Sequence, residues 1–315
     1  MILATVQLLH IPDGFLSVPV ALVCWLVTFV VLLAAVRQTR DAFDESLAPL
    51  AGIMAAFIFA AQMLNFPVAG GTSGHMLGGV LAAVTLGPWV GMLVMTAVVG
   101  LQALLFQDGG LLVMGANILN MGVLTVLVGI AFYRLGDGRS FRFKMGLTAV
   151  AAWLSVMAGA LATSLELWLS GTTSLNVVVP AMLGVHALIG IGEAVISIAA
   201  LNFIWRARPD LLAGEEMTPN RGWVLPGLLV ALGVALLSPL AVADPDGLER
   251  VAADLGFLNT AQAAPISILS NYNVPFLANA SVSTLVAGLV GTLAVAGITA
   301  VLLRTLRRQP VNSKQ

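Results

Sequence analysis

The coordination chemistry open to this chain rests on three histidines, His10, His75 and His186, because its single cysteine, Cys24, lies inside an apolar run. A lone thiol there forms no intrachain disulfide and reads as packing. His10 precedes Ile11-Pro12-Asp13-Gly14-Phe15, in which Pro-Asp-Gly supplies a turn. His75 lies in Gly70-Gly71-Thr72-Ser73-Gly74-His75-Met76-Leu77-Gly78-Gly79. Glycines there let the backbone bend close to another element, and Thr72 and Ser73 can hydrogen-bond the main-chain groups this frees. Two imidazoles, with no cysteine and no nearby carboxylate pair, suit a borderline metal such as nickel, cobalt, copper or zinc. The plain alternative is a polar loop with a satisfied histidine. Two donors do not complete a metal site, so others must be found.

The remaining polar groups at membrane depth are few, and each is costly unless paired. Asn117 and Asn120, three apart, share a helix face. They suit either fixing a histidine's second nitrogen or the backbone of an inserted tail, or hydrogen bonding between helices. His186 and Glu193, seven apart, also share a face and read as an internal neutralising pair or a proton relay. Glu166, near the outer end of its span, is expected to reach water. No Gly-Lys pair exists, so no phosphate loop of the G-x-x-x-x-G-K-[ST] kind is present, and any ATPase must be another protein. Nor is there an H-E-x-x-H, a G-x-S-x-G or a cysteine cluster, which counts against an intramembrane hydrolase or metalloprotease.

The elements that must position these groups are membrane helices. Of 315 residues, 59% are hydrophobic and only 9% charged, with a mean hydropathy of +1.00. That charge cannot cover a soluble globule, for which roughly 25% is usual. The net charge of −1 points to no nucleic-acid partner; the partner of most of this surface is lipid. Apolar runs long enough to span occur at 18–36, 47–64, 76–106, 111–133, 145–169, 177–205, 223–242 and 282–303. The run 76–106 is too long for one span, and Gly87-Pro88 near its middle is a turn signal, so a hairpin of two short helices is expected. With that hairpin there are nine spans, and thirteen of the fourteen Lys and Arg, all but Arg250, fall on one side. The positive-inside rule then puts the N-terminus outside and the C-terminus in the cytoplasm. Residues 1–9 lack a basic region and make a poor signal peptide. Seven spans are followed by a linker at 206–221 and two further spans separated by an outer loop at 243–280.

Four ordered motifs, His10-Ile-Pro-Asp-Gly-Phe-Leu-Ser17, GTSGHMLGG around His75, GANILNMG around Asn120 and HALIGIGEAVI from His186, resemble the CbiM/NikM family over about residues 9–205. Asp244-Pro-Asp-Gly-Leu-Glu249 is similar to the PDGLE-type, CbiN-like partner, here fused at 222–315, with 1–8 an N-terminal extension. The resemblance implies an all-α integral membrane fold: a seven-helix bundle of the energy-coupling-factor substrate-binding type, then two further transmembrane helices with an extracytoplasmic loop. It also implies a non-enzymatic subunit that captures Co(II) or Ni(II) as cargo and works with a transmembrane coupling subunit and two ATPases.

In that family the metal is held by the N-terminal amine, by the amide nitrogen and imidazole of the second residue, and by a histidine of the later glycine-rich loop. His10 and His75 take the two histidine roles, with Asp13, Thr72, Ser73, Asn117 and Asn120 around them. Amine, amide and imidazole close fused five- and six-membered rings in one plane, which suits Ni(II), Cu(II) or low-spin Co(II) better than zinc. This sequence departs in one respect: His10 is not second, and residue 9 is Leu. A mature start at Leu9, from a leucine codon used as initiator or by trimming, is the expected remedy. A secondary transporter or channel using His186 and Glu193 is the alternative reading.

Overall fold

The computed structural model describes residues 10–41, 47–213, 221–263 and 268–306. The N-terminal extension with Leu9, and residues 214–220 of the 206–221 linker, lie outside them. The apolar runs fold as helices: α1 Val18–Asp41, α2 Leu47–Gln62, α3 Gly79–Leu101 with a π turn Gln102–Phe106, and α4 Met114–Leu135, which contains the π stretch Ile118–Leu124. Then follow α5 Phe141–Leu169, α6 Leu175–Ala207, α7 Val224–Ala235, α8 Gly247–Asp254 and α9 Ala280–Thr305. Six are long and apolar enough to cross a membrane, while α2 and α7 are shorter apolar helices. With no water to accept their main-chain bonds, such runs satisfy them internally as helix. On α1 the side chains Leu22, Val23, Leu26, Phe29 and Val30 are exposed, as a lipid-facing surface requires.

The expected hairpin at Gly87 takes an uneven form. Gly87 has φ 75 and ψ 169, and the chain folds back there, so that a Cβ on Gly91 would lie 3.1 Å from the Ala82 carbonyl carbon. In a straight helix nine residues would separate these by about 13 Å. The first leg is helical only from Gly79, and Gly79–Leu86 is about 12 Å long. The stretch before it, with His75, enters the protein as irregular chain. Backbone of that kind is tolerated at depth where protein surrounds it, and His75, Met76 and Gly78 are all buried.

The all-helical expectation needs one amendment. Phe66–Val68 (β1) pairs antiparallel with Thr72–Gly74 (β2), matching Phe66 with Gly74 and Val68 with Thr72. Gly70 and Gly71, both at positive φ, close this small hairpin with a turn other residues would resist. The C-terminal block is not a separate body: α9 and α7 pack on α2, and Phe59 of α2 lies against Phe106 and Tyr272.

Candidate functional site

Residues 10–17 dock at one end of the bundle and are held by the main chain just before α4 and by the Asn117 side chain within it. Asn117 clamps the main chain of Ile11 from both sides: Ile11 N–H donates to its Oδ1 and its Nδ2 donates to Ile11 O, each at 3.0 Å. Asp13 accepts from the main-chain N–H groups of Leu111, Leu112 and Val113 at 3.0, 2.9 and 3.2 Å. These are the donors just ahead of α4 that no helical carbonyl can reach. Gly110 N–H donates to Ile11 O at 2.9 Å, completing the dock.

His10 and His75 come together. Their rings stand edge to face, with centroids 5.7 Å apart. His75 Nδ1 contacts Met76 O at 3.0 Å, and His10 Nδ1 lies 3.0 Å from the Asp108 main-chain oxygen and 3.1 Å from its Oδ1. His10 is 2% exposed, and among the described residues its Nε2 has no hydrogen-bond partner. Both rings border a cavity of about 80 Å³ that is also lined by His186, Asn117, Asn120 and Asp246. Burial alone would lower the pKa of His10, but the Asp108 carboxylate outweighs it and raises it. Asp108 shows the converse: burial would raise it, and His10, with the Tyr272 hydroxyl, brings it below the usual carboxylate value.

The other residues expected at the site divide. Ser73 donates from Oγ to Asp244 O at 2.7 Å and from N to Pro245 O at 2.8 Å, tying the His75 hairpin to the C-terminal block. Thr72 is buried in β2. Asn120 donates to Glu166 Oε2 at 2.8 Å and to Thr163 Oγ1 at 3.2 Å. Glu166 therefore does not reach water as expected: it is buried and also faces the Cys24 thiol at 3.5 Å. The structure does not pair His186 with Glu193. His186 Nδ1–H donates to Met182 O at 2.8 Å, a full turn back along α6. Glu193, wholly buried, accepts from Leu77 N–H at 2.6 Å and Gly78 N–H at 3.0 Å, so it holds the segment that follows His75. Seven-residue spacing put the two on one face, but the irregular backbone at Leu77–Gly78 offered the carboxylate unpaired N–H groups nearby.

Asp108 and Tyr272 have little signature in the sequence, and Asp246 lies in a motif to which the sequence assigned no place at the site. Asp108 sits in the turn Gln107-Asp108-Gly109-Gly110, where an acid reads as a solvated loop residue. Tyr272 comes from the loop between α8 and α9 and donates to Asp108 Oδ2 at 2.7 Å. Asp246, within the PDGLE-like motif, caps α8 by accepting from Glu249 N–H at 2.7 Å. Burial in the cavity wall pushes its pKa up to about 7. The loop carrying Asp246 and Tyr272 covers the site. Gln262 N–H donates to Asp13 O at 2.7 Å, Leu269 N–H to Leu105 O at 2.9 Å, and Arg250 to Gly70 O at 3.2 Å.

Among the described residues no three His, Cys, Asp or Glu side chains are placed to hold a metal ion together. What the geometry offers is two imidazoles at a small buried cavity, roofed by chain from both halves of the sequence.

The family model for the cobalt uptake substrate-specific transmembrane region (CbiM) matches residues 10–211, and that for the PDGLE domain matches 221–308. A putative fused nickel transport protein NikMN of Archaeoglobus fulgidus is 36% identical over 310 residues, covering 95% of this chain and 99% of that protein. A probable fused nickel transport protein LarMN of Lactiplantibacillus plantarum is 37% identical over 255 residues, 74% of this chain and 75% of that one. The crystal structure of a truncated transition metal transporter superposes with a TM-score of 0.57 at 35% identity, covering 63% of this chain and 99% of that chain. The chain belongs to the CbiM family of cobalt-uptake transmembrane proteins and carries a fused C-terminal PDGLE domain.

Proposed function

We propose that this chain is the metal-capturing membrane subunit of a multi-subunit importer of Co(II) or Ni(II), with ATP hydrolysis supplied by partner subunits. The observation that carries the reading is the meeting of His10 and His75 at a buried cavity, their ring centroids 5.7 Å apart. Imidazole nitrogen suits both metals, the named relatives are nickel transport proteins, and the matching family model is one of cobalt uptake. His10 and His75 are the protein ligands of the cargo, and the N-terminal amine adds a donor where the mature chain starts at Leu9. Intact-mass measurement of the purified protein decides that last point: a chain beginning at Met1 removes the amine from the donor set.

The topology proposed with this function has nine passes, the N-terminus outside and the C-terminus in the cytoplasm of a bacterial or archaeal cell. Thirteen of fourteen basic residues on one side support it. The metal then enters from outside, beneath the loop that carries Asp246. The coupling subunit and two ATPases move the loaded unit to release it inward. Uptake of radiolabelled nickel and cobalt into cells, with and without a coupling subunit and ATPases of this transporter class, tests the reading. Uptake that depends on those partners is the expected result. Full uptake by the chain alone would overturn it in favour of a secondary transporter.

A further inference from the structure

We propose that the groove between α1, α3 and α9 binds one anionic phospholipid, with its phosphate on Arg37, Arg40 and Arg304 and an acyl chain along the groove. The proposal does not depend on which cargo His10 and His75 take, since neither lines this groove. Its volume is about 360 Å³. Leu93, Ala97, Gly100 and Leu104 line it from α3 and the π turn that follows, and their spacing of three and four puts them on one helix face. Val36 lines it from α1, and Thr299 and Leu303 line it from α9. A Cβ built on Gly100 would meet no atom within 4 Å, so this is open space and not packed core. Leu104 and Leu302 on its lining are exposed, so the groove opens toward the lipid.

Two independent observations identify the occupant. The first is charge at one end. Arg37 follows Val36 directly, Arg40 stands one turn beyond Val36 on the same face of α1, and Arg304 lies between the lining residues Leu303 and Thr305. All three are exposed, and among the described residues none forms an ion pair. Basic pockets between membrane helices recognise anionic headgroups in this way. The second observation is Thr299. It is 2% exposed and lines the groove, yet its hydroxyl has no hydrogen-bond partner among the described residues. Thr292 on the same helix takes the usual solution, donating one turn back to Gly288 O at 2.7 Å. A buried hydroxyl left unpaired is costly, and a second transmembrane helix offers it few acceptors because its carbonyls are spent on its own ladder. An acyl ester carbonyl is a free acceptor. Thr299 stands five residues before Arg304, about 7.5 Å farther from the end of α9. Ester and phosphate follow one another in that order in a phospholipid. The lipid then bridges the two halves of the sequence, α1 and α3 from one and α9 from the other.

The experiment uses the full chain, purified in detergent and stripped of lipid. The probe is palmitoyl-oleoyl phosphatidylglycerol, with the phosphatidylcholine of the same chains as its counterpart without net charge. Native mass spectrometry reads the lipid bound per chain, and thermal unfolding reads its effect. The parent is expected to hold one phosphatidylglycerol and to unfold at a higher temperature with it than with phosphatidylcholine. Each basic residue near the surface is worth about fivefold toward an anionic lipid, so Arg37→Gln, Arg40→Gln and Arg304→Gln together should weaken binding by about 100-fold. Gly100→Leu fills the groove, keeps the charges and should lose the lipid as well. Arg142→Gln, on α5, removes a charge elsewhere and should bind like the parent. Equal binding of the two lipids by the parent, or parental binding by Gly100→Leu, would overturn the proposal. A parent that takes up a second copy of the chain or a coupling subunit in place of the lipid, with Gly100→Leu abolishing that assembly, would show a protein interface and overturn it too.

Discussion

Glu193 supports the His75 loop, and the structure sets how much its removal should cost. Its two oxygens accept the main-chain N–H groups of Leu77 and Gly78 at 2.6 and 3.0 Å, with Ser197 Oγ at 3.4 Å from Oε1. Those N–H groups belong to irregular chain two and three residues beyond His75 and are reached by no helical carbonyl. Glu193→Gln keeps one acceptor and turns an amide N–H₂ toward the other donor, losing one bond to a charged group, about 1–3 kcal/mol. Glu193→Ala strands both donors, about 2–6 kcal/mol in all. If that cost falls on the geometry presenting His75, Ni(II) affinity drops by about 5- to 150-fold for Gln and by at least about 30-fold for Ala, at 1.4 kcal/mol per tenfold. Titration calorimetry of the purified parent and both variants with Ni(II) measures this, with thermal unfolding of the metal-free proteins as the control. Glu193→Gln with parental affinity would refute the reasoning. Parental affinity combined with lost uptake is what a proton relay would give.

Asp13→Ala should release the N-terminal segment, because three main-chain donors at 111–113 lose their acceptor. Limited proteolysis should then cut within 10–17, and Ni(II) affinity should fall at least about 10-fold. Gly110→Ala should reach the same state from the other side, since its Cβ would lie 2.1 Å from Asp13 Oδ1; proteolysis of this variant like the parent's would sink the account. Docking of the loop that carries Asp246 should also depend on pH in the metal-free protein. Its carboxyl is pushed from 3.8 up to about 7 by burial, with Glu249 and Asp108 adding to the rise and the Glu249 N–H and His10 opposing it. A raised folded-state pKa means protection is full below about 4 and is lost as pH rises through about 7. Hydrogen exchange at 243–263, corrected for intrinsic rates, should show that loss, and Asp246→Asn should flatten it.

The helices were legible because a membrane imposes a length of apolar chain that can be counted along the sequence. The run 282–303 became Ala280–Thr305 and 145–169 became Phe141–Leu169, with end turns added where polar residues still fit the helix. Gly87-Pro88 announced its own break, since φ 75 at residue 87 is open to glycine and strained for others. The short β hairpin was not legible, because three-residue strands carry too little alternation to stand out. Glu166 was misjudged because nearness to a helix end says nothing of the neighbouring helix, and here Asn120 covers it.

By itself the sequence determined that the chain lives in lipid, where it turns, and which residues could ligate a metal, since these follow from side-chain chemistry and local periodicity. Which of those residues meet was decided by the tertiary structure alone. His10 reaches Asp108 across 98 positions, and Asp108 reaches Tyr272 across 164. Such partners are chosen by which unsatisfied donors and acceptors helix packing brings within about 3 Å, and in a medium without water each must find one. The pairing of His186 with Glu193 shows the limit of the linear reading. Spacing put both on one helix face, but the packing of α6 against the irregular chain after His75 gave the carboxylate two main-chain donors instead.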